Sequence, residues 1–515
     1  MIGVSRQHRS PGKLVLAASG LLALSALAFA PRILDLGLLH DDWYYFHEVA
    51  NGSMPIASPG GLRPLHGLVW RACGALFGDD LPGYYLVLFA LQWLAATLLY
   101  LLARRYATAA FAAAFAALAL VYPADASHLW LSSMPQRTAW LMALAAIACG
   151  ERARDAGTDQ GRIGFMIPAL ALGFSSLFVY ELHFFLLALW PAAAALLGAP
   201  WRRRQILGWS AAPGVYLAWR FAWHPAAGGP AVVNTELLWD PFEILRRSAV
   251  LVPYNLFADG WRIGLVEAVR ESALAAGLLF AAAAAAFAYL TPLSAAGRAA
   301  GDGSAGTWRR FAAAALLLVA GVAPVVPTTY WLGRTAGTFA ARILACALPG
   351  AALLLLLALA GIVRRPGLRA AAAAALITAA CAFHWNVARL AADNWTVQRR
   401  VAEALLASAP PTWPPESFLV LLDLPPNRLG YDTPWGMGRM IQQVCGDPTL
   451  SGIGIAGDRP PGDILSLRQA GPDRSDLLVH GGAFARVPLR RAVFLRWQAG
   501  RLAAAEVPEL PEAPR

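Results

Sequence analysis

The feature that most narrows the possible folds of this chain is a series of apolar runs, each close to the ~20 residues that cross a hydrocarbon core. The first is Leu14–Ala30. Others lie at about 84–103, 107–122, 138–150, 163–179, 182–198, 206–222, 268–290, 311–327, 340–363 and 370–388. Segments this apolar must satisfy their backbone polar groups internally, so they are expected to be helices across a membrane. Composition agrees: 58% of the 515 residues are hydrophobic and 14% are charged, whereas soluble domains carry about a quarter charged. The expected class is a polytopic α-helical membrane protein of about eleven transmembrane helices.

The net charge of +11 does not indicate a nucleic-acid partner, because the arginines lie in short clusters just after apolar runs. Cytoplasmic loops look like this under the positive-inside rule. Arg104-Arg105, Arg152/Arg154/Arg162, Arg202-Arg203-Arg204, Arg298/Arg309/Arg310 and Arg364-Arg365/Arg369 all fall on the side of the N-terminus if 223–267 does not cross. That segment is expected to be an outer loop with an interfacial or re-entrant helix. The resulting orientation is N-terminus inside and C-terminal region outside. Arg6, Arg9 and Lys13 before Leu14–Ala30, with Ala28-Phe29-Ala30 at its end, have the form of a signal peptide. The expectation is an uncleaved first helix that anchors the outer loop after it. Lys13 is the only lysine, and with so much alanine this points to a GC-rich bacterial source. The expected location is therefore the bacterial inner (cytoplasmic) membrane.

Two divisions are expected: a membrane domain over 1–390, with a first outer loop at about 32–82, and a C-terminal extracytoplasmic domain over 391–515. Asp393–Leu406 reads as a helix and Pro410–Pro415 as a linker. Ser417–Leu424, Leu477–His480 and Ala492–Trp497 read as short strands of a small α/β or mostly β domain. The five cysteines form no CxxC and are odd in number, so neither a disulfide framework nor a zinc site is expected.

Chemistry centres on His40-Asp41-Asp42-Trp43-Tyr44-Tyr45-Phe46, just past the first apolar run. Adjacent carboxylates at a membrane rim are costly to place and mark a functional path. Neighbouring residues do not point the same way in a helix or a strand, so the two acids are expected to have separate roles. One faces a substrate, and the other binds a metal, an arginine or a helix N-terminus. A helix cap is the plain alternative for Asp42. Arg63 precedes Pro64, and its planar fork suits a carboxylate or a phosphate. Arg137, Arg334 and Arg342 are further phosphate candidates on the same face. Tyr180-Glu181-Leu182-His183 forms a tight turn whose Glu181 can reach the rim.

From the first helix into the second, these residues resemble a known group. The acidic pair, Leu62-Arg63-Pro64-Leu65, Phe77-Gly78 and Leu81-Pro82-Gly83-Tyr84-Tyr85 look like the first outer loop of GT-C membrane glycosyltransferases. That superfamily includes protein O-mannosyltransferases and aminoarabinose transferases. The resemblance is clearest over about 14–140. It implies a sugar donor linked to polyprenyl phosphate and a glycan, lipid or protein acceptor. It also implies Asp41 as general base with Asp42 as its partner, and allows a divalent cation. In the second outer loop, where relatives carry a Glu, this chain has Pro123-Ala124-Asp125-Ala126-Ser127-His128, offering Asp125 and His128 instead. A transporter or lipid flippase, or a silent envelope scaffold, is the rival reading. Against the transporter, the charges gather at one face rather than at the midplane.

Overall fold

The computed structural model describes residues 11–39, 41–58, 63–223, 240–270, 273–295, 304–326, 339–408, 413–425, 434–471, 474–479 and 485–512. Its helices are α1 (Pro11–Phe29), α2 (Asp42–Ala50), α3 (His66–Phe77), α4 (Leu81–Ala103), α5 (Ala109–Leu120) and α6 (Met134–Asp155). Next come α7 (Asp159–Val179), α8 (Phe184–Leu196), α9 (Arg203–Trp209), α10 (Ala211–Ala218), α11 (Pro241–Ala249), α12 (Gly260–Arg270) and α13 (Ala273–Ala295). The last are α14 (Ser304–Val322), α15 (Leu348–Ile362), α16 (Pro366–Ser408) and α17 (Pro434–Cys445). Helices thus coincide with the apolar runs.

Among the described residues, four helices are long and apolar enough to cross a bilayer: Leu81–Ala103, Asp159–Val179, Ile343–Ile362 and Pro366–Ser408. Pro241–Arg270 and Ala273–Ala285, meeting at 112°, make a fifth if taken as one broken span. The expected re-entrant segment at 223–267 falls partly on this bent pair, while 224–239 lie outside the described residues. Leu14–Phe29, Ala109–Leu120 and Glu181–Leu196 are equally apolar but shorter. Apolar composition alone leads to an expectation of about eleven spans, of which the described helices account for four, or five with the bent pair.

Sequence and structure differ at α16. Asp393–Leu406 is not a separate helix but the far half of one 43-residue helix. The chain has no Pro or Gly between Gly367 and Pro410, so nothing stops the helix where its composition turns polar at Arg389.

Beyond α16 lies a small α/β unit. Its main sheet has the order β2-β1-β6-β7, from Ser451–Ala456, Phe418–Leu424, Ala492–Gln498 and Arg501–Ala504. Strand β1 is central and parallel to both β2 and β6, while β6 and β7 form an antiparallel hairpin. A parallel strand covered on both faces reads as a continuous apolar run, and Phe418–Leu422 is one, buried throughout. Helix α17 crosses over between β1 and β2. A second, antiparallel sheet joins β3 (Leu465–Gly471), β4 (Arg474–Val479) and β5 (Ala485–Pro488). Of the two architectures expected, the unit is α/β.

At the C-terminal end of α6, Glu151 is fully buried. It accepts from the Trp190 and Trp201 indoles, both at 3.0 Å, and from the Tyr106 hydroxyl at 2.6 Å. Arg154 at 2.8 Å and Arg105 at 3.4 Å supply the opposite charge.

Candidate active site

Helix α2 starts inside the Asp pair and has two unlike faces. Asp42, Trp43 and Phe46 are buried, whereas Tyr44, Tyr45, His47 and Glu48 are half-buried. A 3.6-residue repeat places 42 and 46 on one side, and 41, 44, 45 and 48 on the other. Asp41 already has helical backbone angles (φ −65°, ψ −18°), and its carbonyl accepts the N–H groups of Tyr44 and Tyr45 at 3.1 and 3.3 Å. Its side chain makes no capping hydrogen bond.

Asp42 has no solvent exposure. Its Oδ2 accepts the backbone N–H of Leu39 at 3.1 Å and of Leu131 at 3.2 Å, and its Oδ1 that of Ser132 at 2.6 Å. Three donors from two loops thus converge on one carboxyl group, stitching the first loop to the second. Burial pushes the Asp42 carboxyl up from 3.8 to about 7, against the lowering pull of these backbone hydrogen bonds. Tyr85 adds a second stitch, its hydroxyl donating to the carbonyls of Gly37 at 2.7 Å and Leu129 at 3.2 Å. From the other side the Trp43 indole donates to Gln398 of α16 at 2.8 Å. Gly37 lies flat against Trp395, where a Cβ would come within 1.9 Å of the indole, so only glycine fits. The Asp pair therefore occupies two environments: Asp42 is an internal fastener, and Asp41 stands at the head of the helix it fastens.

The second loop is not a solvated rim. Every residue from Val121 to Arg137 is buried. Asp125 accepts the Ser127 N–H at 2.9 Å and pairs with Arg137, which also reaches the Ser127 hydroxyl. Arg137, only 4% exposed, is engaged as the ion-pair partner of Asp125 in this structure. His128 is buried between Phe29 (ring centroids 4.4 Å) and His384 (4.7 Å), and among the described residues neither of its ring nitrogens has a hydrogen-bond partner. Burial, with His384 beside it, holds its imidazole well below the ordinary range and hence neutral. Asp125 and His128 are thus committed to different neighbours, and the pair does not fit a shared metal ion. Among the described residues, no three His, Cys, Asp or Glu side chains gather where they could hold one.

Arg63 holds Glu181 bidentately, Nε to Oε2 and Nη2 to Oε1, both at 2.8 Å, and its guanidinium lies 3.8 Å from the Tyr180 ring centroid. The fork suits a carboxylate or a phosphate equally, and in this structure the carboxylate occupies it. Arg334 lies outside the described residues. Arg342 belongs to the short helix Phe339–Ala347, and its side chain also lies outside them.

Sequence reasoning missed the backbone donors at Leu131 and Ser132, for which no side chain gives a signal. It also missed Glu48, Gln398 and Arg439. Arg439 of α17 donates to Glu48 at 2.7 Å and lies 5.4 Å from the Tyr44 ring.

No family model matches this chain, and no curated protein matches it. Among solved structures it is similar to ArnT from Cupriavidus metallidurans bound to undecaprenyl phosphate. Identity there is 16%, over 85% of this chain and 86% of that one, with a TM-score of 0.39. It is also similar to the Archaeoglobus fulgidus oligosaccharyltransferase tethered to an acceptor peptide containing the NVT sequon. In that case identity is 13%, over 87% of this chain and 64% of that one, with a TM-score of 0.43.

Proposed function

We propose that this chain is a membrane glycosyltransferase that moves a sugar from a polyprenyl-phosphate-linked donor to an acceptor, with Asp41 as general base. The observation that carries the reading is the fastening of Asp42 by three backbone N–H groups from two loops. Such a fixture fixes the start of α2 and so the placement of its neighbour Asp41. In the reaction Asp41 takes the acceptor's proton, the acceptor oxygen or nitrogen bonds to the sugar's anomeric carbon, and the bond from that carbon to phosphate oxygen breaks. The leaving lipid phosphate needs positive charge. We assign that to Arg334 and Arg342, while Arg63 on the first loop is held by Glu181. Arg137 contributes indirectly by holding the second loop through Asp125.

The Asp pair faces outward from the bacterial cytoplasmic membrane in this reading, and the C-terminal domain lies on the same side, where it helps select the acceptor. The arginine clusters at alternate loops support that orientation.

The test is Asp41→Asn in membranes, following release of undecaprenyl phosphate from lipid-linked sugars. Loss of a general base costs about 100- to 10,000-fold in turnover, and the variant should accumulate in the membrane normally. Turnover at the unmutated rate would remove Asp41 from the chemistry.

A further inference from the structure

The C-terminal unit touches α2 through one concentrated polar contact. Arg439, on α17, donates Nη2 to Glu48 Oε1 at 2.7 Å and Nη1 to Gln442 Oε1 at 2.7 Å, and its guanidinium lies beside the Tyr44 ring. Glu48 is the more buried partner, its side chain 13% exposed against 29% for Arg439. The Ser53 hydroxyl donates to its other oxygen at 2.7 Å. Asp41, Tyr44 and Glu48 are spaced i, i+3 and i+7, and all have helical backbone, so they share one face of α2. The opposite face is the one sealed by Asp42, Trp43 and Phe46. The nine-residue helix is therefore gripped from both sides: by two loops of the membrane domain through Asp42, and by the C-terminal domain through Arg439.

We propose that Arg439 is a positioning residue for glycosyl transfer, through which the C-terminal domain sets the placement of Asp41. This rests on Asp41 being the base. A short helix held on one side only can roll about its axis, and a roll displaces the face that carries Asp41. The second grip removes that freedom. A misplacement near 1 Å can cost a transfer reaction about 100-fold in rate. The domain thus has a part in turnover itself, separate from choosing the acceptor.

The experiment uses the full chain in lipid nanodiscs. Undecaprenyl-phosphate-linked sugars extracted from the host membranes serve as donor, and released undecaprenyl phosphate is the signal. Arg439→Gln and Glu48→Gln should each lower kcat about 10- to 100-fold, with the donor KM within about twofold of normal. The exchanged pair, Arg439→Glu with Glu48→Arg, should recover most of the loss, which a damaged domain would not. Hydrogen exchange over residues 42–50 should rise in both single variants and fall back in the exchanged pair. Normal kcat in Arg439→Gln beside an inactive Asp41→Asn removes the positioning role and leaves the base intact. An exchanged pair as slow as the single variants, with the melting temperature unchanged, also overturns it. Normal turnover by Asp41→Asn removes the base reading, and this role with it.

Discussion

Two carboxylates without solvent exposure lie near opposite ends of α6, and they are accommodated in opposite ways. Asp42 meets the loop that leads into the helix and is held by three neutral backbone donors, with no cation among the described residues. Glu151, in the last turns, is held by two arginines, two indoles and a phenol. An ion pair fixes charge and tolerates little change, whereas a cradle of backbone dipoles holds a carboxyl group while leaving its protonation open to the surroundings. The comparison separates a site built to be permanent from one built close to chemistry.

The largest effect should come at the permanent end. Among the described residues, Glu151→Gln leaves Arg105 and Arg154 with only the exposed Asp155 as an ion-pair partner, and losing the buried carboxylate costs about 3 kcal/mol. Purified protein should melt at a lower temperature and accumulate less in the membrane, while turnover per folded molecule stays normal. If stability is unchanged, the supposed permanence of that end is refuted.

Asp42→Asn should have a smaller effect, about 1–3 kcal/mol, since an amide can accept from some of the three N–H groups but turns an NH2 toward another. The more telling difference is its pH dependence. The folded-state value, about 7, lies above the unfolded 3.8. The folded chain therefore holds the proton more tightly between these values. The contribution is fully present below the unfolded value and is lost as pH rises through the folded one. Melting temperature measured across pH 5 to 8 should fall more steeply with rising pH in the unmutated chain than in Asp42→Asn. Parallel curves would mean that Asp42 is held as a fixed charge.

The smallest effect should be that of Arg63→Lys. The Arg63–Glu181 side chains are 27% and 34% exposed, so solvent screens the pair and its loss should cost at most about 1 kcal/mol. Affinity for undecaprenyl phosphate should change by about twofold or less, because Glu181 already occupies the fork. A loss beyond tenfold would instead put the guanidinium on the donor phosphate.

Much of this was legible in the sequence because the signals were local. Apolar runs gave the helices, and the run Ser417–Leu424 gave a strand. The Asp dipeptide implied two environments, since neighbouring side chains on a helix diverge, and Asp42 is buried where Asp41 is half-buried. What stayed hidden were partners distant in the chain. Glu181 is 118 residues from Arg63, and Arg439 is 391 residues from Glu48. Arg137 looked like a headgroup or phosphate contact because its position at a helix start suggests exposure. Its burial follows from the second loop folding into the protein, which no single residue in it announces.

Helix α16 has a further consequence. Its 43 residues extend to about 65 Å at 1.5 Å each, roughly twice the thickness of a hydrocarbon core. The first half packs among the membrane helices, and the second carries Trp395 and Gln398 to α2 before the C-terminal domain begins. A rod of this kind sets orientation by counting. One residue added beyond Gln398 would lift everything after it by about 1.5 Å and turn it by about 100°, swinging Arg439 away from Glu48. This segment is therefore held to a fixed number of residues.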